Sequence, residues 1–432
     1  PFTADRLLER IARALDRRKV FMPVWQLMEA GHQQDAIGAC ADGQLAHPRY
    51  ALDFLRLRAE LHVFLGEHEQ AEAIYRELAD AKAVAWARLG LAKTLFLRDR
   101  FEEAQDMLEE LVADNKNFVD AYDWLARTHA AVGELEKSQA VLADAVSVSP
   151  HVVRRLRTLG ETALKAGDAA TAEKSLKQVV AKAKYSEFRN PEDHVKLVRA
   201  LVQKGDPAQA ASVIRDLERS MGGQKNTGAC SAISSAILHE YTGNTERLNE
   251  SLQAALDCCR DAPELSADLK MDLAKTCLQY NFEDGAKDVM RDVMRNAADA
   301  AAMARAMAVL EAAGRPELGS SLAQESRQQV ADLVSDGAAR ASSGDYKGAM
   351  ELMMEARTRL PGNPQVAFNV ALATLRCLEH DGWDEVLGQR VPALLDNVRR
   401  LDPRNTKLPA LATLHQQILK KYDKGPRIRK AG

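Results

Sequence analysis

The stretch that decides the fold is AYDWLARTHAAVGELEKSQAVLADAVSVSP, which runs from Ala121 to Pro150. Its apolar and small residues recur at three- to four-residue intervals, the spacing of an amphipathic helix: Tyr122, Leu125, Ala126, Val132, Leu135, Leu142 and Ala145. Gly133 and Glu134 interrupt the pattern, and glycine is the usual residue where a chain must turn sharply. The stretch therefore predicts two helices joined by a short turn.

The same pattern returns 34 residues away in both directions. Forward steps carry the pattern to Leu156, Leu159, Gly160, Gly167, Ala172 and Leu176, and backward steps reach Ala104 and Leu108. Two antiparallel helices approach closely only where their crossing holds small side chains, as Ala126 with Ser138 or Gly160 with Ala172 would provide. Since one such hairpin cannot bury its own apolar face, the repetition predicts a stack of hairpins with a continuous core.

This period and these positions resemble the tetratricopeptide repeat. The units 84–113, 119–150 and 153–182 match best, and residues 364–403 form a longer final unit. Weaker units each join a turn residue to a second-helix position: Gly31 with Ala36, Gly66 with Ala71, Gly205 with Ala210, Gly243 with Leu248, Phe282 with Gly285, Gly314 with Gly319, and Gly344 with Ala349. The resemblance implies an all-α fold, a right-handed α–α superhelix (solenoid) of ten or eleven tandem hairpins.

The predicted organisation has five parts. Residues 1–17 form an N-terminal helix, residues 18–183 the best-matching repeats, and residues 184–405 degenerate repeats. Residues 406–422 form a C-terminal capping helix, and residues 423–432 a basic flexible tail. The repeat spacing widens at AKAKYSEFRNPEDH and at SMGGQKNTG, which predicts loops there.

The first residues, PFTADRLLERIARALDRR, resemble the end of a bacterial response-regulator receiver domain. In that family a Lys-Pro-Phe-Thr/Ser segment enters the last helix, which often ends in Leu followed by Arg-Arg; Pro1 and Phe2 match the residues after the lysine, and Leu15 to Arg18 match the helix end. The resemblance implies an effector region fused to a phosphorylation switch, whose lysine, phospho-acceptor aspartate and acidic metal ligands lie upstream of Pro1. It also implies a homodimer, because the receiver's last helix belongs to a dimerising face.

The alternative for the same residues is a plain capping helix. Thr3 is suited to be its N-cap, and one apolar face gathers five residues: Leu7, Leu8, Ile11, Ala12 and Leu15.

Composition narrows the class of function. The 59 basic and 62 acidic residues nearly balance, so neither nucleic acid nor an anionic membrane is an expected partner. No apolar stretch is long enough to span a bilayer, and no signal peptide is recognised. Six dispersed cysteines, with no Cys-x-x-Cys pair, predict reduced thiols and a cytoplasmic location.

No pattern predicts catalysis, a cofactor or a metal. His62, Glu67 and His68 are close in sequence but lack the spacing of a zinc-binding helix. The adjacent pair Cys258-Cys259 cannot face one ion from a helix. The glycine-rich segment 222–228, with Lys225, lacks the order of a phosphate-binding loop, and we interpret it as a plain loop.

A candidate peptide-binding groove follows from the register. In such a superhelix the first helices line the concave surface, where the sequence places these residues: Arg56, Arg88, Arg127, Arg157, Lys196 and Arg199. Asp123 and Glu161 interrupt this basic series. Because arginine offers forked donors to a carboxylate, the series favours an acidic peptide segment of a protein partner. The alternative is a solvated helix face that pairs with its own acidic residues.

Three functions remain open from the sequence, and an enzyme is not among them. The first is the output region of a two-component response regulator that binds a partner protein in the groove. The second is an assembly scaffold independent of phosphorylation. The third is a transcription-related or nucleic-acid-binding module, in which the basic C-terminal residues from Lys420 to Lys430 would contact phosphates.

Overall fold

The computed structural model describes residues 4–29, 32–82, 84–262, 264–297, 300–402 and 405–424. Within these ranges the chain forms 22 α-helices in series and one 3₁₀ turn, Pro48–Tyr50, and no strand. The chain divides into two compact units, residues 1–116 with 371–432, and residues 117–370. The prediction of an all-α chain of tandem helical hairpins is confirmed.

The helices are numbered in chain order. The first six are α1 Ala4–Glu29, α2 Gln33–Ala46, α3 Ala51–Leu65, α4 His68–Lys82, α5 Ala85–Leu97 and α6 Phe101–Asp114. The next eight are α7 Val119–Ala131, α8 Leu135–Val148, α9 Val153–Ala166, α10 Ala169–Ala183, α11 Glu192–Lys204, α12 Pro207–Met221, α13 Thr227–Tyr241 and α14 Thr245–Arg260. The last eight are α15 Ala267–Gln279, α16 Glu283–Arg295, α17 Ala300–Ala312, α18 Pro316–Ser342, α19 Tyr346–Arg359, α20 Pro364–His380, α21 Glu385–Leu401 and α22 Leu408–Lys421.

Each odd-numbered helix from α1 to α17 packs against the helix that follows it and forms an antiparallel hairpin with it. The units predicted at 84–113, 119–150 and 153–182 coincide with α5–α6, α7–α8 and α9–α10. The widened spacings also have a structural basis, because loops at 184–191 and 222–226 separate the helices there. Helix α22 lies where the capping helix was predicted.

The hairpin turns depend on glycine in the left-handed region. Seven of the turn glycines predicted from sequence have positive φ between 69° and 89°: Gly66, Gly133, Gly167, Gly205, Gly243, Gly314 and Gly344. A side chain at such a position meets its own backbone, which only glycine avoids at low cost. Gly31, the other glycine predicted at a turn, lies outside the described residues.

Small residues fill the helix crossings as predicted. Ala104, Ala172 and Ala210 are wholly buried, and a Cβ added at Gly160 would lie 2.7 Å from Leu176 Cγ. The Ser138 hydroxyl donates a 2.7 Å hydrogen bond to the Ala126 carbonyl, so the crossing of α7 and α8 is polar as well as close. These contacts fix the distance between the two helices of a hairpin.

One helix departs from the hairpin pattern. Helix α18 spans 27 residues and packs against both α17 and α19. It therefore serves as the second helix of one hairpin and, without a break, as the first helix of the next. At Gly337 an added Cβ would lie 3.0 Å from Met353 Cε, so α18 and α19 approach closely where the second of these hairpins crosses.

Helix α1 is buried only at its C-terminal end. Phe21 and Val24 join a core with Phe54 of α3, whose ring stacks on Phe21 at a centroid distance of 4.1 Å. Residues 5–19, by contrast, are all exposed. The segment predicted as 1–17 is thus continuous with the first repeat helix, and Pro1, Phe2 and Thr3 lie outside the described residues.

A buried carboxylate ties α4 to the start of α6. Glu72 accepts hydrogen bonds from Arg76 at 2.6 Å, Arg98 at 2.5 Å and Arg100 at 2.8 Å. Burial acts to raise the pKa of Glu72, but the hydrogen bonds from the arginines outweigh it and lower this pKa from 4.5 to about 2. The charged carboxylate is therefore a stabilising group of the first unit.

We expect Glu72→Gln to lower the free energy of unfolding at neutral pH and to flatten its dependence on acid. Because the folded-state pKa lies below the ordinary value, the stabilisation is present above pH 4.5 and is lost as pH falls toward about 2. Urea unfolding at several pH values across this window measures the effect. Glu102→Gln, which changes an exposed carboxylate on α6, is the control, and equal pH dependence in the two variants would contradict the prediction.

The described cysteines are free thiols, as predicted. Cys40, Cys230, Cys259, Cys277 and Cys377 are buried, and Cys258 is half-buried. Burial raises the pKa of Cys40 and of Cys259 to about 11, which keeps both thiols protonated and unreactive at neutral pH.

Candidate protein-binding surface

The six residues predicted to line the groove all lie on the first helices of their hairpins. Arg56 is on α3 and Arg88 on α5 in the first unit, and Arg127 is on α7 and Arg157 on α9 in the second. Lys196 and Arg199 are both on α11.

In the first unit both arginines contact acidic neighbours. Arg56 Nε lies 2.8 Å from Glu60 Oε1, and its guanidinium sits 5.2 Å from the centre of the Trp86 ring. Arg88 reaches across its hairpin to Asp114 at 2.7 Å and to Glu110 at 3.0 Å on α6. Arg88 therefore helps hold its own hairpin together.

Arg157 is the most strongly engaged of the six. Its Nε and terminal nitrogen donate to the two Asp193 carboxylate oxygens at 2.7 and 2.8 Å, and Asp193 is 1% exposed. The same guanidinium donates to the Phe188 carbonyl at 2.9 Å, which anchors the 184–191 loop. The hydrogen bonds that Arg157 donates to Asp193 raise the pKa of Arg157 above its ordinary value. A bidentate pair of this kind is a structural tie between repeats.

The other three residues of the predicted groove differ in the contacts that they make. Lys196 lies 2.5 Å from Glu161, and Arg199 lies 2.5 Å from Asp272 of α15. Arg127 is exposed, with its guanidinium 4.9 Å from the centre of the Trp124 ring. At least five of the six cations thus contact carboxylates of the protein itself, as the alternative of a self-paired helix face requires, and their role in binding a peptide stays a prediction.

Sequence reasoning missed a second structural arginine. Arg155 is 9% exposed, and it donates to both Asp123 carboxylate oxygens at 2.7 Å. Asp123, which looked like an interruption of the basic series, is therefore the partner of an arginine in the next repeat. An acidic and a basic residue about one repeat apart on first helices are the signal that would have found this pair.

One histidine flagged in the sequence, His62, contacts a glutamate of its hairpin turn. His62 Nδ1 lies 2.6 Å from Glu67 Oε2, and the same contact recurs two repeats later, at 2.8 Å, between His129 and Glu134. Over the ranges that the structure describes, no group of three His, Cys, Asp or Glu residues is arranged to hold a metal ion. Nor does any helix in the described ranges combine the length and apolar character of a membrane span.

The tail predicted at 423–432 lies almost wholly outside the described residues. Its first part is ordered: Lys424 lies 3.0 Å from Glu385 and 5.8 Å from the centre of the Trp383 ring. Arg427, Arg429 and Lys430 lie outside the described residues, and a nucleic-acid role for them stays a prediction.

Comparison with known proteins agrees with the repeat assignment. The tetratricopeptide repeat family model matches residues 65–123. No curated protein matches the chain.

Several solved structures are similar over part of the chain. A tetratricopeptide repeat protein from Parabacteroides merdae is 11% identical, with 56% of this chain and 92% of that one covered and a TM-score of 0.37. PilW, a type IV pilus biogenesis factor, is 16% identical, with 49% and 96% covered and a TM-score of 0.39. YrrB, described as a TPR protein with an unusual peptide-binding site, is 14% identical, with 43% and 91% covered and a TM-score of 0.34. The family match assigns tetratricopeptide repeats to residues 65–123, and repeats of this kind support a protein–protein interaction module.

Proposed function

We propose that this chain is the cytoplasmic effector region of a bacterial two-component response regulator, and that it binds a partner protein through the surface formed by the first helices. The observation that carries the proposal is the N-terminal part of α1. Four large apolar residues there are 46–63% exposed, and they follow a helical spacing: Leu7, Leu8, Ile11 and Leu15.

We expect another protein surface to bury this exposed apolar face of α1. The exposed part of α1, residues 5–19, is close to the length below which an isolated helix is marginal in water. Its continuous apolar stripe gains stability only when another surface buries it. A receiver domain ahead of Pro1 would include residues 4–18 as its last helix and would bury one side of this stripe. The remainder would then be free for a second copy, which accounts for the homodimer that the resemblance implies.

The contacts between α1 and the repeats would let a change in the receiver domain affect the first hairpins. Arg17 lies 3.1 Å from Asp53, and the Tyr50 hydroxyl donates to Asp16 at 2.7 Å, so the exposed part of α1 is attached to the start of α3. Phe21 lies in the core one turn further along. A change in what covers Leu8 and Ile11 would therefore act on the first hairpins through a continuous helix.

The coding sequence upstream of Pro1 tests the regulatory half of the proposal. We expect a lysine codon directly before Pro1 and a receiver-like alternation of strands and helices before that. Any other upstream sequence would leave an assembly scaffold, independent of phosphorylation, as the better account. A receiver with a phospho-acceptor aspartate should also make partner binding differ between its phosphorylated and unphosphorylated forms.

The binding surface is tested by charge reversal at its two exposed arginines. We expect the Arg56→Glu/Arg127→Glu variant to lose the protein that wild-type chain captures from lysate, as measured by quantitative mass spectrometry. Arg219→Glu/Arg247→Glu is the matched control, since it makes the same charge change at exposed positions of the second helices α12 and α14. Capture that survives equally in both variants would exclude the first-helix surface. Arg157 is left unchanged because its substitution would disturb the fold.

A further inference from the structure

The loop between α10 and α11 presents two aromatic side chains to solvent. Tyr185 is 90% exposed, and Phe188 is 52% exposed. Lys182 donates to the Pro150 carbonyl at 2.6 Å, which brings the turn between α8 and α9 next to the end of α10. That turn adds Val152, which is 41% exposed. Because apolar side chains gathered at a surface mark interaction sites more often than scattered ones do, this edge of the second unit is a candidate for binding.

The loop is held in one conformation by its hydrogen bonds. Arg157 donates to the Phe188 carbonyl at 2.9 Å, and Arg189 donates to the Ser220 carbonyl at 2.6 Å. Within the loop, the Phe188 amide donates to the Ser186 hydroxyl at 3.3 Å. A backbone fixed before binding loses little conformational entropy when a partner arrives, and aromatic side chains on such a backbone are well suited to anchor one.

Lysines surround the aromatic residues. Residues 174–186 contain four lysines and no acidic residue, although the whole chain carries a net charge of −3. At 3.6 residues per turn, the four fall on one side of α10 and of the residues that follow it: Lys174, Lys177, Lys182 and Lys184. All four are exposed. Lys184 Nζ lies 5.3 Å from the centre of the Tyr185 ring, so the positive charge and the aromatic surface are contiguous.

These lysines differ from the cations of the predicted groove. Only Lys177 has an acidic neighbour, Glu173, among the residues that the structure describes. No described carboxylate contacts Lys174, Lys182 or Lys184. Since like charges held close together repel one another, carboxylates from another molecule would be attracted here and would relieve that repulsion.

Glu187 restricts the form in which negative charge can approach. It is exposed, and it stands between Tyr185 and Phe188 in the sequence. A nucleic-acid strand or an anionic bilayer carries its negative charge continuously and would bring some of it against Glu187. A protein segment can place its carboxylates opposite the lysines and an apolar side chain next to Glu187. The arrangement therefore favours a protein segment in which acidic and apolar residues are mixed.

We propose that the end of α10 and the loop after it bind an acidic segment of a partner protein. Asp or Glu residues of the segment contact Lys174, Lys182 and Lys184, and an apolar side chain packs against Tyr185 and Phe188. Because this surface belongs to a second helix and its loop, it is separate from the first-helix surface, and it does not depend on a receiver domain.

The test is selection from a phage-displayed library of random dodecapeptides on the full chain. We expect enriched peptides to share two or more acidic residues and at least one large apolar residue. An enriched peptide, labelled with fluorescein, should bind about ten-fold or more weakly to Tyr185→Ser and to Lys174→Gln/Lys184→Gln than to wild type in fluorescence anisotropy.

Each variant has a matched control. Tyr241→Ser removes another exposed tyrosine of the second unit, and Arg327→Gln/Lys347→Gln removes two exposed cations of α18 and α19. Both controls should bind the peptide as wild type does. Since the Tyr185 ring is almost fully exposed, Tyr185→Ser should also keep the wild-type Tm, and a clear fall in Tm would overturn the assignment by showing a structural role.

The remaining outcomes identify a different occupant. Enriched peptides without shared acidic residues, or equal binding to the variants and their controls, would overturn the proposal. Oligo(dT), or vesicles of phosphatidylcholine and phosphatidylserine, that bind wild type but not Tyr185→Ser would replace the protein partner with nucleic acid or lipid. Self-association that Tyr185→Ser abolishes in sedimentation velocity would replace it with a second copy of the chain. Loss of peptide binding in Arg56→Glu/Arg127→Glu would place the peptide on the first-helix surface instead.

Discussion

Replacing Ala172 with arginine is expected to lower the free energy of unfolding of the second unit by about 3 kcal/mol or more, because it combines overpacking with burial of a charge. Ala172 is wholly buried and packs in one core with Leu176, Leu197 and Leu201. The Cβ of Ala172 stands where α10 crosses α9, so a guanidinium there would be buried among apolar side chains. Urea unfolding followed by circular dichroism measures the loss.

Ala170→Arg is the control for this substitution. Ala170 lies on the same helix two positions earlier and is exposed, so the same change there should alter stability by less than about 0.5 kcal/mol. The equivalent crossing residue of the third hairpin, Ala104, is also wholly buried, and Ala104→Arg should destabilise in the same way. Wild-type melting by Ala172→Arg would show that the helix register is wrong at this crossing.

Replacing Arg157 with methionine is expected to cost about 3–5 kcal/mol, the usual effect of removing one partner of a buried ion pair. The substitution leaves the Asp193 carboxylate 1% exposed without its guanidinium, and it also frees the Phe188 carbonyl in the 184–191 loop. Chemical denaturation of the full chain measures the cost.

Two further variants show whether the pair itself is responsible. Arg157→Met/Asp193→Leu should recover much of the lost stability, because an apolar pair replaces a charge pair whose desolvation was costly. Lys196→Met removes a neighbouring cation whose partner, Glu161, is about one third exposed, and should cost no more than about 1 kcal/mol. A double variant no more stable than Arg157→Met would refute the ion-pair explanation.

The repeat architecture was predictable because its signals are local. A turn glycine such as Gly167 and a crossing residue such as Ala172 stand five positions apart, and each position is dictated by the geometry of its own hairpin. The period of 34 residues then repeats these two positions in the neighbouring hairpins. The loops at 184–191 and 222–226 were predictable for the same reason, since they are insertions in that period.

The electrostatics of the surface was not predictable in the same way. The spacing placed Arg157 and Lys196 on first helices, but it could not show that Asp193 and Glu161 meet them from the neighbouring repeat. Arg155 was overlooked because a buried arginine breaks the apolar pattern from which burial is inferred. A cavity of about 870 Å³ between α14, α15, α16, α19 and the 222–226 loop was not predictable either, because no repeat period specifies how these elements pack.

The uninterrupted helix α18 has a consequence for how the array can come apart. Repeat arrays are expected to lose structure one unit at a time, because each hairpin meets its neighbours across a boundary that can open. Between α17 and α19 the backbone hydrogen bonds of Pro316–Ser342 run straight through that boundary. The two hairpins that share α18 therefore form one indivisible block, and shorter versions of the protein must keep both or lose both.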